Sequence, residues 1–226
     1  MSQDHAAAGD DQPAGRAAAG GNASWMPFLC VLAAIATLAA SGITWVISPN
    51  WGQHAITAPA RNVGDVPTKQ GALAAAFVSP NMIEIPKLEA RAPIVDVYTL
   101  PGGELDVPKD PTVVGWWAPG AKPGAKTGTA ILAGHINYNG VEGSLAKIGT
   151  LNPGDVVYID GVHNRKKTRL KFKITGVRTY DKKALPYKEI FDQKSVGRLA
   201  IVTCGGAFDA QTGNYLENIV AFAVPA

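Results

Sequence analysis

Cysteine is nearly absent from this chain: two residues in 226, Cys30 and Cys204, cannot form the disulfide framework of a small secreted domain. Charge is scarce too, at 17% of residues, with 21 bases set against 18 acids. A net charge of +3 is too small to imply a nucleic-acid partner, and none is expected. The composition also excludes a helical bundle, because 25 glycines and 16 prolines break helix interiors. Apolar material is plentiful instead. At 46% hydrophobic the chain is no intrinsically disordered protein, and an all-β or loop-rich domain with appendages fits best.

Residues 1–25 are rich in Ala, Gly, Asp and Gln without apolar period and read as a disordered tail. Met26 to Ile47 then run without a charge, and as a helix they would span roughly 33 Å, enough for a ~30 Å hydrocarbon core. This segment reads as a transmembrane anchor. Trp25, Trp45 and Trp51 stand near its ends, where indoles favour the headgroup region. A cleaved signal peptide competes, since Ala39-Ala40-Ser41-Gly42 offers small residues, but the run exceeds the usual h-region and only Arg16 precedes it as a base. Arg16 and Arg61 are the nearest bases on either side, so loop charge leaves the orientation open. Residues 48–79, with scattered Pro and Gly, read as a flexible spacer in which Leu73–Val78 suits one helical turn.

From residue 80 to 226 the texture is of short apolar segments divided by turns. Thr129–Ala133, Val156–Ile159, Leu199–Cys204 and Ile219–Val224 are strand candidates, and Leu170, Phe172 and Ile174 alternate with Lys171 and Lys173 as a strand with one buried face. Asp160-Gly161 reads as the turn after one of them. These spacings point to an antiparallel barrel or sandwich with little helix. The basic run from Arg165 to Lys173 reads as a solvated hairpin end protecting a sheet edge, with attraction to an anionic surface polymer as the alternative.

Cys30 lies inside the apolar run, so Cys204 is a lone thiol in the globular part. It ends the apolar run Leu199–Thr203 and is followed by Gly205-Gly206, which places a thiol at a strand end beside open backbone. A thiol becomes nucleophilic only with a base or cation nearby, and after Pro80 the chain has two histidines, His135 and His163. His163 stands in a polar turn and reads as a solvated surface residue. His135 follows Thr129–Gly134, another apolar run into glycine, and precedes the loop-like Asn137-Tyr138-Asn139-Gly140.

Taken together, Gly134-His135 after a strand, Ile201-Val202-Thr203-Cys204-Gly205-Gly206, and the closing Tyr215…Asn218-Ile219-Val220-Ala221-Phe222-Ala223 resemble a sortase. Val114-Gly115-Trp116-Trp117, Pro123-Gly124 and Leu151…Pro153-Gly154-Asp155 are similar to the actinobacterial class E and class F branches, class F more than E. The resemblance implies an all-β, eight-stranded sortase-type barrel with short helices, behind one N-terminal transmembrane helix, on the outer face of a Gram-positive plasma membrane. It implies cleavage of a Leu-Pro-x-Thr-Gly-like signal on secreted proteins, a thioester intermediate, and transfer to an amine such as a peptidoglycan precursor. No cofactor and no metal are expected. Cys204 would be the nucleophile, His135 would protonate the leaving amine and deprotonate the incoming one, and Thr203 would position the substrate carbonyl.

One position departs from the pattern. The family places an arginine after the cysteine strand in a Tyr-Arg-Asp/Glu-Asn context, and here the stretch reads Tyr215-Leu216-Glu217-Asn218. Either another base such as Arg198 or Arg178 reaches the site, or the protein is a degenerate relative that binds sorting signals or wall polymer without efficient turnover. An L,D-transpeptidase, which also uses Cys and His on a β scaffold, is disfavoured because Gly-Gly follows Cys204 where that family requires Arg.

Overall fold

A computed structural model describes residues 60–69, 71 and 77–226. The expected tail, the uncharged run 26–47 and most of the spacer lie outside the described residues, among which no helix is long and apolar enough to cross a membrane. In chain order the strands are β1 (Val63–Gly64), β2 (Ser79–Ile85), β3 (Ala90–Val97), β4 (Val114–Trp117), β5 (Thr129–Ala133) and β6 (Asn137–Tyr138). They continue as β7 (Val141–Glu142), β8 (Val156–His163), β9 (Lys166–Asp181), β10 (Arg198–Asp209) and β11 (Asn214–Pro225). Among the described residues, helix is confined to short 3₁₀ turns and one four-residue turn, Tyr187–Ile190.

Eight strands close on themselves in the order β9-β11-β10-β5-β4-β3-β2-β8, and β8 returns to β9. Closure depends on the length of β9: of its 16 residues, Lys166–Lys173 pair with β8 and Phe172–Asp181 pair with β11. A closed barrel leaves few free strand edges. The alternation along β9 does what its period demands, with Leu170, Phe172 and Ile174 buried and Lys171 and Lys173 exposed. Phe172 is fully buried in the barrel interior beside Ile159 and Ile83, and each such side chain contributes about 1.5–3 kcal/mol by leaving water.

Two sequence expectations need correction. β8 does not stop at Ile159 but runs through Asp160-Gly161 to His163, and the chain reverses at Asn164-Arg165, both at positive φ (48° and 63°). That pair of left-handed residues gives the turn twist a two-residue hairpin needs. Gly161 lies within the strand, opposite Pro80 of β2, where a Cβ would clash with the Ser79 carbonyl and with Val78 at 2.8 Å, and Asp160 is held across the ladder by Arg169 at 2.6 Å. Arg169 also reaches Glu84 at 3.0 Å, so the basic hairpin end is partly neutralised from β2 and β8.

Part of the segment read as a spacer is docked on the barrel. β1 pairs with β9, Val63 opposite Val177, and Arg61 donates from Nη1 to the carbonyls of Gly149 (3.1 Å) and Leu151 (2.9 Å). Backbone hydrogen bonds hold this stretch, which is why its low apolar content concealed it.

Candidate active site

β5 is buried along its whole length because both of its faces are covered. It runs parallel to β10, from Thr129 opposite Arg198 to Ala133 opposite Val202. Continued by two residues, this register brings His135 beside Cys204. The continuation is tied by Gly134, whose N–H donates to Val202 O (3.1 Å) and whose carbonyl accepts from Thr203 Oγ1 (2.9 Å). Thr203 is buried, and its hydroxyl is engaged on that backbone, so the structure places it as a clip between the two strands rather than as a group facing the cleft.

Cys204 stands opposite Asn218 on β11, at the last regular stretch of β10 before a register shift between Gly205 and Phe208. A bulge of this kind bends the strand just past the thiol. Gly206 adopts φ +73°, and a Cβ on Gly205 would meet Ile219 at 2.6 Å, so the Gly-Gly pair is what lets the chain bend here. The thiol is half-buried, free, and packed beside Ile136, Tyr215 and Phe208.

The His135 ring is half-buried, and its Nε2 lies 2.9 Å from Pro108 O. A carbonyl only accepts, so Nε2 carries the proton and Nδ1 is the acceptor of the neutral ring. Burial pushes the imidazole pKa below its usual value, and the Pro108 contact opposes that shift without cancelling it. The resting ring is therefore neutral at pH 7 and fit to take a proton. Tyr138 stacks on it, with ring centroids 4.9 Å apart, from a small hairpin of β6 and β7. The sequence Asn137–Gly140 was expected as loop; Asn139 and Gly140 instead form a two-residue turn at positive φ (49° and 79°).

His135 and Cys204 line one cleft of about 240 Å³, together with Tyr138, Asn214 and Lys182. A second hollow of about 490 Å³ shares Lys182 and Asn214 with it and is lined by Ile131, Ala133, Val202 and Phe191, so cleft and groove adjoin at those two residues. His163 is elsewhere, with Nδ1 2.8 Å from Phe77 O and its ring edge against Phe77. Among the described residues no three His, Cys, Asp or Glu side chains converge as metal ligands.

The Sortase domain family matches residues 83–226. The chain belongs to the sortase family. Its fold is similar to that of sortase C1 from Streptococcus suis, at 14% identity over 65% of this chain and 72% of that one, with a TM-score of 0.48. It is likewise similar to sortase A from Corynebacterium diphtheriae (16% identity, 68% and 62% of the two chains, TM-score 0.47) and to the SrtA sortase from Actinomyces oris (21%, 73% and 89%, 0.46). No curated protein matches by sequence.

Within this sortase neither alternative arginine reaches the cleft. Arg198 opens β10, six residues from Cys204 and so about 20 Å along the strand. It is buried, donating to Thr129 Oγ1 (3.0 Å), Pro67 O (3.1 Å) and Glu189 O, with its guanidinium over Phe222. Arg178 donates to the carbonyls of Val63 (2.7 Å) and Gly64, pinning β1 to the barrel. Leu216 is 48% exposed and carries no charge to the site. Lys182 and Tyr138 were missed in the sequence. Tyr138 had a signal in the Asn139-Gly140 turn, whereas Lys182 had none.

Proposed function

We propose that this sortase is a membrane-anchored cysteine transpeptidase of the class F type. In this reading Cys204 cleaves a Leu-Pro-x-Thr-Gly-like signal, holds the acyl group as a thioester and passes it to a cell-wall amine. The observation that carries it is the shared cleft: a lone thiol and a neutral, oriented imidazole, remote in sequence, line one cleft, and an apolar groove adjoins it. The groove's aliphatic and aromatic lining suits the Leu and Pro side chains of such a signal. Sγ gives its proton to His135 as it bonds to the scissile carbonyl carbon, and the carbonyl π pair moves to oxygen. Collapse breaks the C–N bond, with the imidazolium protonating the leaving amine. The incoming amine then attacks the thioester, returns a proton to the imidazole, and the C–S bond breaks.

Incubating the purified full-length chain with a Leu-Pro-x-Thr-Gly peptide and hydroxylamine should yield the threonyl hydroxamate. Leu216 favours a second reading, a sortase domain that binds sorting signals or wall polymer without turnover; peptide binding with no hydroxamate would select it.

The uncharged run 26–47 supports a single-pass anchor, and the wall-facing reaction proposed above puts residues 80–226 outside the cell and 1–25 inside. Protease added to intact protoplasts should remove a C-terminal tag. A tag protected until lysis would refute that orientation.

A further inference from the structure

The tetrahedral oxyanion formed by thiolate attack needs a donor, and the position where the family pattern places a cation holds Leu216. We propose that Lys182 is a catalytic residue of this sortase, its ammonium binding that oxyanion in place of an arginine at 216. The inference rests on the transpeptidase reading above.

Three observations converge on it. The last rung between β9 and β11 pairs Asp181 with Glu217, so Lys182 leaves β9 just where Leu216 precedes Glu217 on the neighbouring strand. The next strand therefore brings a cation to the place that β11 leaves uncharged. Second, among the described residues Lys182 is the only lysine or arginine lining the Cys204–His135 cleft, and it also borders the apolar groove, which places it where the two adjoin. Third, Lys182 is half-buried and no carboxylate pairs with it among the described residues, while Asp181 fixes the turn it starts by accepting from Lys183 N at 2.7 Å. The other two basic candidates are committed to backbone carbonyls elsewhere.

The chemistry follows from charge development. A substrate carbonyl is neutral and its tetrahedral adduct is an anion, so an ammonium in this cleft stabilises the adduct more than the bound peptide. Lys182 keeps its proton throughout, and the bonds made and broken are those between Sγ, the acyl carbon and the two amines. Its loss should lower turnover and spare binding.

The test uses the full-length chain, purified in detergent, with the hydroxamate assay. Lys182→Met should lower kcat about 10- to 100-fold with KM changed by less than about threefold. Lys182→Arg should retain most of the activity, and Lys188→Met, a loss of the same charge at an exposed site outside the cleft, should leave it unchanged. Unaltered melting and Cys204 alkylation in Lys182→Met would establish that the fold persists. A Lys182→Met, Leu216→Arg double variant that recovers turnover would place both side chains in one role. A parental chain that forms hydroxamate while Lys182→Met stays within about twofold of it overturns the assignment, as does a Lys182→Arg no better than Lys182→Met. A parental chain that forms no hydroxamate sinks the transpeptidase reading itself.

Discussion

Cys204→Ala is expected to reduce hydroxamate formation to the uncatalysed background. The substitution deletes the atom that carries the acyl group, so no thioester forms, and hydroxylamine would have to attack an unactivated peptide bond directly. Removing one sulfur from a half-buried position beside Ile136, Tyr215 and Phe208 costs on the order of 1 kcal/mol in packing, too little to unfold the barrel. Melting of the variant near the parental temperature would therefore assign the loss to chemistry. Mass spectrometry gives a second readout: without an acceptor amine the parental chain should accumulate an acyl adduct, and the variant should not. Hydroxamate formed by Cys204→Ala at the parental rate would refute the mechanism.

His135→Ala should lower turnover by about 10²- to 10⁴-fold, the usual contribution of a positioned acid and base. The pH dependence is the sharper measurement. His135 must be neutral to accept the thiol proton, and burial holds its pKa below the ordinary 6.5. Activity should thus be present above that depressed value and fall as pH drops through it, with an acidic midpoint below 6.5. The residual activity of His135→Ala should lack that limb. Stability moves in the same direction: below 6.5 the unfolded chain binds the proton more readily than the folded one, so folding weakens as pH falls. Melting curves across the same pH range separate the two effects. An acidic midpoint above 6.5 would mean that another group sets the limb.

Arg198 shows how far a basic side chain's neighbours in sequence mislead about its destination. It precedes the cysteine strand by a few residues and was a natural candidate for the site, yet β10 carries it to the far end of the barrel, where it ties Pro67, Thr129 and Glu189 together. Lys182 is the converse. It lies in a polar stretch with no motif, and only the pairing of β9 with β11 delivers it beside Leu216.

The sequence by itself determined the β class of the domain, the buried face of β9, and the placing of Cys204 on a strand before two glycines, although β10 does not end there but runs on to Asp209. Each of these depends on periodicity or backbone freedom within a few residues, which composition and order record directly. It also singled out His135 over His163 as the partner of Cys204, without a distance between them. The tertiary structure decided the rest: that β5 runs parallel to β10 in a register carrying His135 to Cys204, that Thr203 clips the two strands, that residues 61–67 pack on the barrel, and that Arg178 and Arg198 are spent on backbone carbonyls. These outcomes depend on which strands pair and in what register. Such pairings are settled by the burial and hydrogen bonding of the whole closed sheet, and no local pattern contains them.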